Sequence, residues 1–304
     1  MIRTIILTLA IVVLASLGAQ PVMAQKPVIV GSKIDTEGAL LGKMIVLLLR
    51  HHGMEVQDRT ELGGTPIVRQ AILSGQVDLY PEYTGNGAIF FPEAPVDTWR
   101  DARKAYATVK ELDAENELVW LPPAPANNTW AIAVSQELAG KGVRTLEDFA
   151  RHISQGGNVK LAACDEFVER PDALPAFTKA YGFSLSKEQM LVLSGCNTAQ
   201  TEQAAAQGID GVNAAMAYGT DGGLAALGLT VLADPKSVQP VYAPAPLVRR
   251  ETLERYPSIE AILPPVFSDL DQKTLQELNA RISIEGLDAE SVAREYLSSR
   301  GYIH

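Results

Sequence analysis

Pro122-Pro123-Ala124-Pro125, followed shortly by Asn127-Asn128-Thr129-Trp130-Ala131-Ile132-Ala133-Val134, divides the chain near its middle and governs how the rest is read. A proline-rich break cannot continue either a helix or a central strand, and the β-branched and aromatic run after it reads as a new strand. Upstream lies one alternating set. Val28-Ile29-Val30-Gly31-Ser32 reads as a strand, and from Thr36 onward Leu40, Leu41, Met44, Leu47 and Leu48 recur at helical spacing. Thr65 to Ser74 and Thr98 to Leu112 read as helices, and Val77 to Tyr80 and Leu118 to Leu121 as strands. Downstream lies a second set. Leu146 to Ile153, Leu174 to Tyr181 and Thr201 to Gln207 read as helices, and Lys160 to Ala163, Met190 to Leu193 and Val212 to Tyr218 as strands. It closes at Val238-Gln239-Pro240-Val241-Tyr242, and a helical tail runs from Arg249 to Tyr302, with amphipathic stretches at Leu270 to Ile282 and Ala289 to Leu297.

Strands alternating with helices imply an α/β fold with parallel sheets, and two such sets imply two lobes. The expected division is residues 25–127 plus 243–304 for lobe 1, with lobe 2 inserted as residues 128–242. Two chain crossings, near Asn127 to Trp130 and near Pro240 to Pro244, make a hinge, and a cleft between hinged lobes is where a small molecule is expected to bind.

The N-terminus carries Arg3, an uncharged apolar run from Ile5 to Leu17, and Val22-Met23-Ala24 before Gln25. That is the layout of a secretory signal peptide cleaved after Ala24, placing the mature protein in the periplasm. The apolar run falls short of the roughly 20 residues of a membrane span. Losing residues 1–24 removes Arg3 alone among charged residues, so the mature chain is one unit more negative than the formal −10 of the whole. An acidic chain without a Lys/Arg-dense segment excludes nucleic acid and anionic membrane surfaces as partners. Cys164 and Cys196 each follow an apolar run, and in an oxidising compartment they are candidates for a disulfide, with two buried free thiols as the alternative. If the two runs are neighbouring parallel strands, their C-terminal ends come within bridging reach.

Signatures of catalysis are missing: there is no Gly-x-Ser-x-Gly, His-Glu-x-x-His, Cys-x-x-Cys or phosphate-binding loop, and the four histidines have no metal-ligating spacing. No enzyme activity, metal or cofactor is expected. Four aromatic residues instead stand at strand or loop ends, flanked by Pro, Gly, Asn or Thr: Tyr83, Trp130, Tyr218 and Tyr242. Each read alone is a packed core aromatic; at the mouth of one cleft they form a cage. Ring faces attract a cation, by about 0.5–2 kcal/mol per desolvated ring, and a quaternary ammonium has no N–H to use instead. Lys33 and Arg170 are the candidates to receive a ligand carboxylate. Two other readings compete. One is a binding protein of the same fold for an amino acid, in which Lys33 and Arg170 keep their role. The other is a periplasmic hydrolase using Asp165, Glu166 and Glu169.

Gly31-Ser32-Lys33-Ile34-Asp35-Thr36-Glu37, Tyr80-Pro81-Glu82-Tyr83-Thr84-Gly85-Asn86-Gly87, Asn127-Asn128-Thr129-Trp130 and Ala217-Tyr218-Gly219-Thr220-Asp221-Gly222 together resemble the osmoprotectant-binding proteins of ABC importers, which take glycine betaine, choline or proline betaine. The similarity spans essentially the whole mature chain and is closest to the stress-induced periplasmic branch of enteric bacteria. It implies the two-lobed type II periplasmic-binding-protein fold, a quaternary-ammonium ligand, an ABC permease in the inner membrane as partner, and no covalent chemistry; a monomer is expected. It implies that Tyr83, Tyr218 and Tyr242 are three cage tyrosines, with Trp130 where the family usually has a fourth. It also implies that Asn86 stands where many relatives have a carboxylate-binding Thr, that Lys33 and Arg170 face the same carboxylate, and that Asn128 falls where a backbone carbonyl faces the ammonium.

Overall fold

The computed structural model describes residues 26–194 and 198–304. The expected signal peptide, residues 1–24, and Cys196 lie outside the described residues.

Two five-stranded sheets organise the molecule. The strands are β1 (Val28–Lys33), β2 (Val56–Gly63), β3 (Leu79–Tyr83), β4 (Leu118–Trp120), β5 (Trp130–Val134), β6 (Leu161–Cys164), β7 (Met190–Leu193), β8 (Ala214–Tyr218), β9 (Thr230–Val231) and β10 (Pro244–Arg249). The first sheet runs β2-β1-β3-β10-β4 and the second β7-β6-β8-β5-β9. Each is mixed rather than parallel throughout. Three parallel strands in each (β2, β1, β3 and β7, β6, β8) are followed by one antiparallel strand, β10 or β5, which arrives from the other lobe. Helices cover the sheet faces, as parallel strands require, and the whole is the two-lobed type II periplasmic-binding-protein fold.

Three strands are not legible as strands in the sequence: the two-residue β9, too short to leave a pattern, and β2 and β10. In β2, Val-Gln-Asp-Arg-Thr-Glu-Leu-Gly, burial alternates along an edge strand whose outward side chains are polar, so no apolar run marks it. In β10, Pro244 and Pro246 argue against a central strand. The structure tolerates them because their carbonyls accept from Ala124 and Leu121, beyond the three residues where β4 pairs, and Pro246 lies opposite Pro81, so neither of that pair has an N–H to satisfy.

The helix Thr36–His51 starts as β1 ends, because Asp35 turns its carboxylate back to accept from Gly38 N at 2.8 Å. Its Leu40, Leu41, Met44, Ile45 and Leu48 lie in the core of lobe 1 together with Leu275 and Leu278 of the tail helix Gln272–Ser283. Beside those leucines, the same tail helix presents Gln272, Gln276 and Asn279, at the i, i+4, i+7 spacing of one face. Gln272 and Gln276 donate to Gly219 O and Asn279 to Thr220 O, so a helix rooted in lobe 1 grips the loop after β8 in lobe 2. Gly222 permits the approach: a Cβ there would sit 2.3 Å from the backbone nitrogen of Ala280.

The two crossings run side by side and are bonded to each other. Asn128 N donates to Tyr242 O, Tyr242 N to Asn127 Oδ1, and Thr129 Oγ1 to Pro240 O. Cys164, at the end of β6, is fully buried and disulfide-bonded. It lies opposite Leu193 of the parallel neighbour β7, so the chain leaving β7 toward Cys196 starts beside it.

Candidate functional site

The parallel strands of both lobes end at one cleft of about 530 Å³, as open α/β sheets place their ligands. All eight residues singled out from the sequence line it: Lys33, Tyr83, Asn86, Asn128, Trp130, Arg170, Tyr218 and Tyr242. Register explains why the aromatics meet. Trp130 opens β5 and Tyr218 closes β8, and antiparallel pairing sets them directly opposite, with ring centroids 6.2 Å apart and planes tilted by 32°. Tyr83 closes β3 opposite Pro244, which brings Tyr242, two residues earlier, over the same edge. The Tyr242 ring lies flat on Gly85, where a Cβ would fall 2.7 Å from the ring, so only glycine fits beneath it. Phe167 meets Trp130 edge-on at 5.6 Å and fixes the indole from behind. Burial holds Tyr83, Tyr218 and Tyr242 above the ordinary tyrosine range, Tyr242 at about 12, so the rings stay neutral.

The two basic residues are both in the cleft, and both are already paired. Lys33 Nζ is 2.6 Å from Glu82 Oε1, with both side chains buried, and sits 4.5 Å above the Tyr83 ring. Glu82 is a hub: it also accepts from Asn86 Nδ2 at 2.7 Å, Tyr83 N at 2.6 Å and the Tyr80 hydroxyl at 2.8 Å. Arg170 donates Nε and Nη2 to Asp172 and Nη1 to Glu166, and its guanidinium stacks 4.5 Å over the Trp130 ring. The hydrogen bonds that Arg170 donates to Asp172 and Glu166 hold its pKa above even its usual high value. Glu166, a candidate of the hydrolase reading, is thus a partner of Arg170.

Sequence reasoning missed the carboxylates. Glu37, in the first turn of its helix, is buried at the cleft wall; it accepts from the Tyr83 hydroxyl at 2.8 Å, Asn128 Nδ2 at 3.2 Å and Asn279 Nδ2 at 2.8 Å. Burial outweighs these donors and raises its pKa from 4.5 to about 7. In lobe 2, Glu202 and Asp221 are a buried carboxyl pair. Desolvation first, and for Glu202 the adjacent Asp221 charge, push both upward, so the pair retains a proton. Among the described residues, no group of three or more His, Cys, Asp or Glu side chains is placed to hold a metal ion.

Glu37 makes folding stability depend on pH with a definite sign. The folded chain binds this proton more tightly than the unfolded one, so the contribution is complete below about pH 4.5 and is lost as pH rises through about 7. The difference amounts to about 3 kcal/mol. Glu37→Gln is therefore expected to raise the melting temperature near pH 8 and to leave it unchanged near pH 4.5. Thermal denaturation at the two pH values checks this; destabilisation at both contradicts it.

A family model for the substrate-binding domain of ABC-type glycine betaine transport systems (OpuAC) matches residues 26–299. The glycine betaine-binding protein YehZ of Escherichia coli is 57% identical over 284 residues, 93% of each chain. A glycine-betaine-binding protein of Pseudomonas aeruginosa is 34% identical over 281 residues, covering 88% of this chain and 86% of its own. The solved structure of apo YehZ superposes with a TM-score of 0.84 over 91% of this chain and 99% of that one. With nearly its whole length matched by that model, this chain belongs to the family of substrate-binding domains of ABC-type glycine betaine transport systems.

Proposed function

We propose that the protein is the periplasmic solute-binding receptor of an ABC importer, closing its lobes on glycine betaine or a related quaternary ammonium and delivering it to a membrane permease. The observation that carries this reading is the convergence of four aromatic rings on one interlobe cleft, Tyr83 from one sheet, Trp130 and Tyr218 from the other, and Tyr242 from the crossing between them. A trimethylammonium group offers no hydrogen-bond donor, so its recognition rests on ring faces and exclusion of water, which this wall supplies. The lobes divide at the bonded crossings, residues 25–127 with 243–304 and residues 128–242. In this reading the chain works as a monomer released into the periplasm by cleavage after Ala24. No helix among the described residues is long and apolar enough to cross a membrane.

Isothermal titration of residues 25–304 with glycine betaine, choline, carnitine, proline betaine and a panel of amino acids tests the proposal. Saturable binding of a quaternary ammonium with no response to amino acids is expected. Binding of amino acids alone contradicts the cage and favours a same-fold receptor that uses Lys33 and Arg170.

A further inference from the structure

We infer that this cleft selects by net charge, preferring a quaternary ammonium that carries a hydroxyl and is net cationic over a zwitterion of the same size, and that Glu37 is the residue that sets the preference. The inference rests on the quaternary-ammonium reading above and narrows it.

Glycine betaine and choline differ at one end, a carboxylate against a hydroxymethyl. A site built for the carboxylate needs a cation free to meet it. Here both candidate cations are engaged: Lys33 with buried Glu82, and Arg170 with Glu166 and Asp172 across three hydrogen bonds. Each keeps N–H donors to spare, but a ligand carboxylate arriving at either meets a cation whose charge is already offset by a seated carboxylate. Meanwhile Asp35, Glu37, Glu166, Asp172, Glu202 and Asp221 all line the same cleft, against Lys33 and Arg170 alone. Even with one proton shared by the Glu202–Asp221 pair, the walls carry an excess of negative charge. A low-dielectric cleft focuses that field, so it draws in a cation and gives a neutral zwitterion no comparable gain.

Glu37 differs from the other carboxylates in its partners and position. The side chains that donate to it are all neutral: the Tyr83 hydroxyl from β3, the Asn128 amide from the crossing and the Asn279 amide from the tail helix. Thr220 of the loop after β8 faces it from lobe 2, and Asp35 of its own turn adds like charge. Lys33, at the end of β1, is committed to Glu82. Among the described residues, an ionised Glu37 is thus an anion beside a cage tyrosine with no protein cation paired to it, and a ligand ammonium supplies the missing countercharge. It can also accept a hydrogen bond from a ligand hydroxyl, which a carboxylate ligand cannot donate. Because Tyr83, Asn128 and Asn279 are held by this one group, it stays aimed as the lobes move.

The test is calorimetric titration of the chain with choline and with glycine betaine, near pH 8 and near pH 5.5, for the native protein and for Glu37→Gln. Near pH 8 choline is expected to bind at least about tenfold more tightly than glycine betaine. That ratio is expected to shrink near pH 5.5, where Glu37 takes up its proton, and likewise in Glu37→Gln, in each case through a larger loss of choline affinity than of glycine betaine affinity. Glycine betaine binding as tightly as choline to the native protein, or an equal loss of both in Glu37→Gln, overturns charge selection while leaving the aromatic cleft standing. Failure of both ligands to bind overturns the quaternary-ammonium reading and this inference with it. Where the variant folds poorly, the pH comparison on native protein still separates these outcomes.

Discussion

Trp130→Ala is expected to weaken binding of a quaternary ammonium about a hundredfold, more than any other single change at the cleft. Three contacts act through this indole. Its face supplies a cation site, its register opposite Tyr218 sets the spacing of the box, and its edge contact with Phe167 ties the box to the core of lobe 2. One lost ring accounts for about 0.5–2 kcal/mol; the rest of the expected loss comes from Tyr218 and Arg170 collapsing into the space. Because Trp130 belongs to the core of lobe 2, alanine also destabilises the fold, by about 3–5 kcal/mol. Trp130→Tyr separates the two effects, since it restores an aromatic face and is expected to cost no more than about tenfold in affinity. Titration and thermal melting of both variants check this. Equal affinity of Trp130→Ala and the native chain would remove Trp130 from the cage. Tyr242→Ala, which empties the space above Gly85, is expected to cost at least about tenfold with a smaller loss of stability.

Glu82→Gln is expected to destabilise the protein by about 3 kcal/mol, the cost of leaving one member of a buried ion pair uncompensated. Glu82 is fully buried, and its two oxygens take the Lys33 ammonium, the Asn86 amide, the Tyr80 hydroxyl and the Tyr83 backbone. Glutamine preserves the shape but turns one acceptor into a donor and leaves the Lys33 charge unmatched in the interior. Lys33→Met combined with Glu82→Gln is expected to recover most of the loss, because the buried charge disappears with its partner. Chemical denaturation of the single and double variants measures the coupling. Additive losses would show that Lys33 and Glu82 act independently.

How far the sequence discloses the site follows from what each residue type reveals by itself. The cage is readable because Tyr83, Trp130 and Tyr218 each stand beside Thr or Gly at a strand's end and Tyr242 lies in the crossing between Pro240 and Pro244, places where a packed core ring is less common. The anions are not. Glu37 looks like any acidic residue in a helix's first turn, where the helix dipole already accounts for it. Only the folded contacts with Tyr83, Asn128 and Asn279, separated from it by 46, 91 and 242 residues, make it part of the site. Glu82 stands inside a motif of the family resemblance but gives no sign that it neutralises Lys33, 49 residues away. Architecture divides the same way. The alternation of strands and helices and the Pro122–Pro125 break reveal two lobes, whereas β10 is hidden by its own prolines and β2 by its charged face. The grip of the tail helix on Gly219 and Thr220 is also hidden, since a Gln-Gln-Asn stripe reads as an ordinary solvated face until lobe 2 is placed against it.

A crystal structure of residues 25–304 grown with saturating choline would show directly whether the rings hold the ligand. The lobes are expected to be closed over one choline, its quaternary nitrogen within about 6 Å of the ring centroids of Trp130, Tyr218 and Tyr242. A ligand bound outside this cleft, or seated in it with its ammonium away from all of these rings, would contradict the aromatic cage.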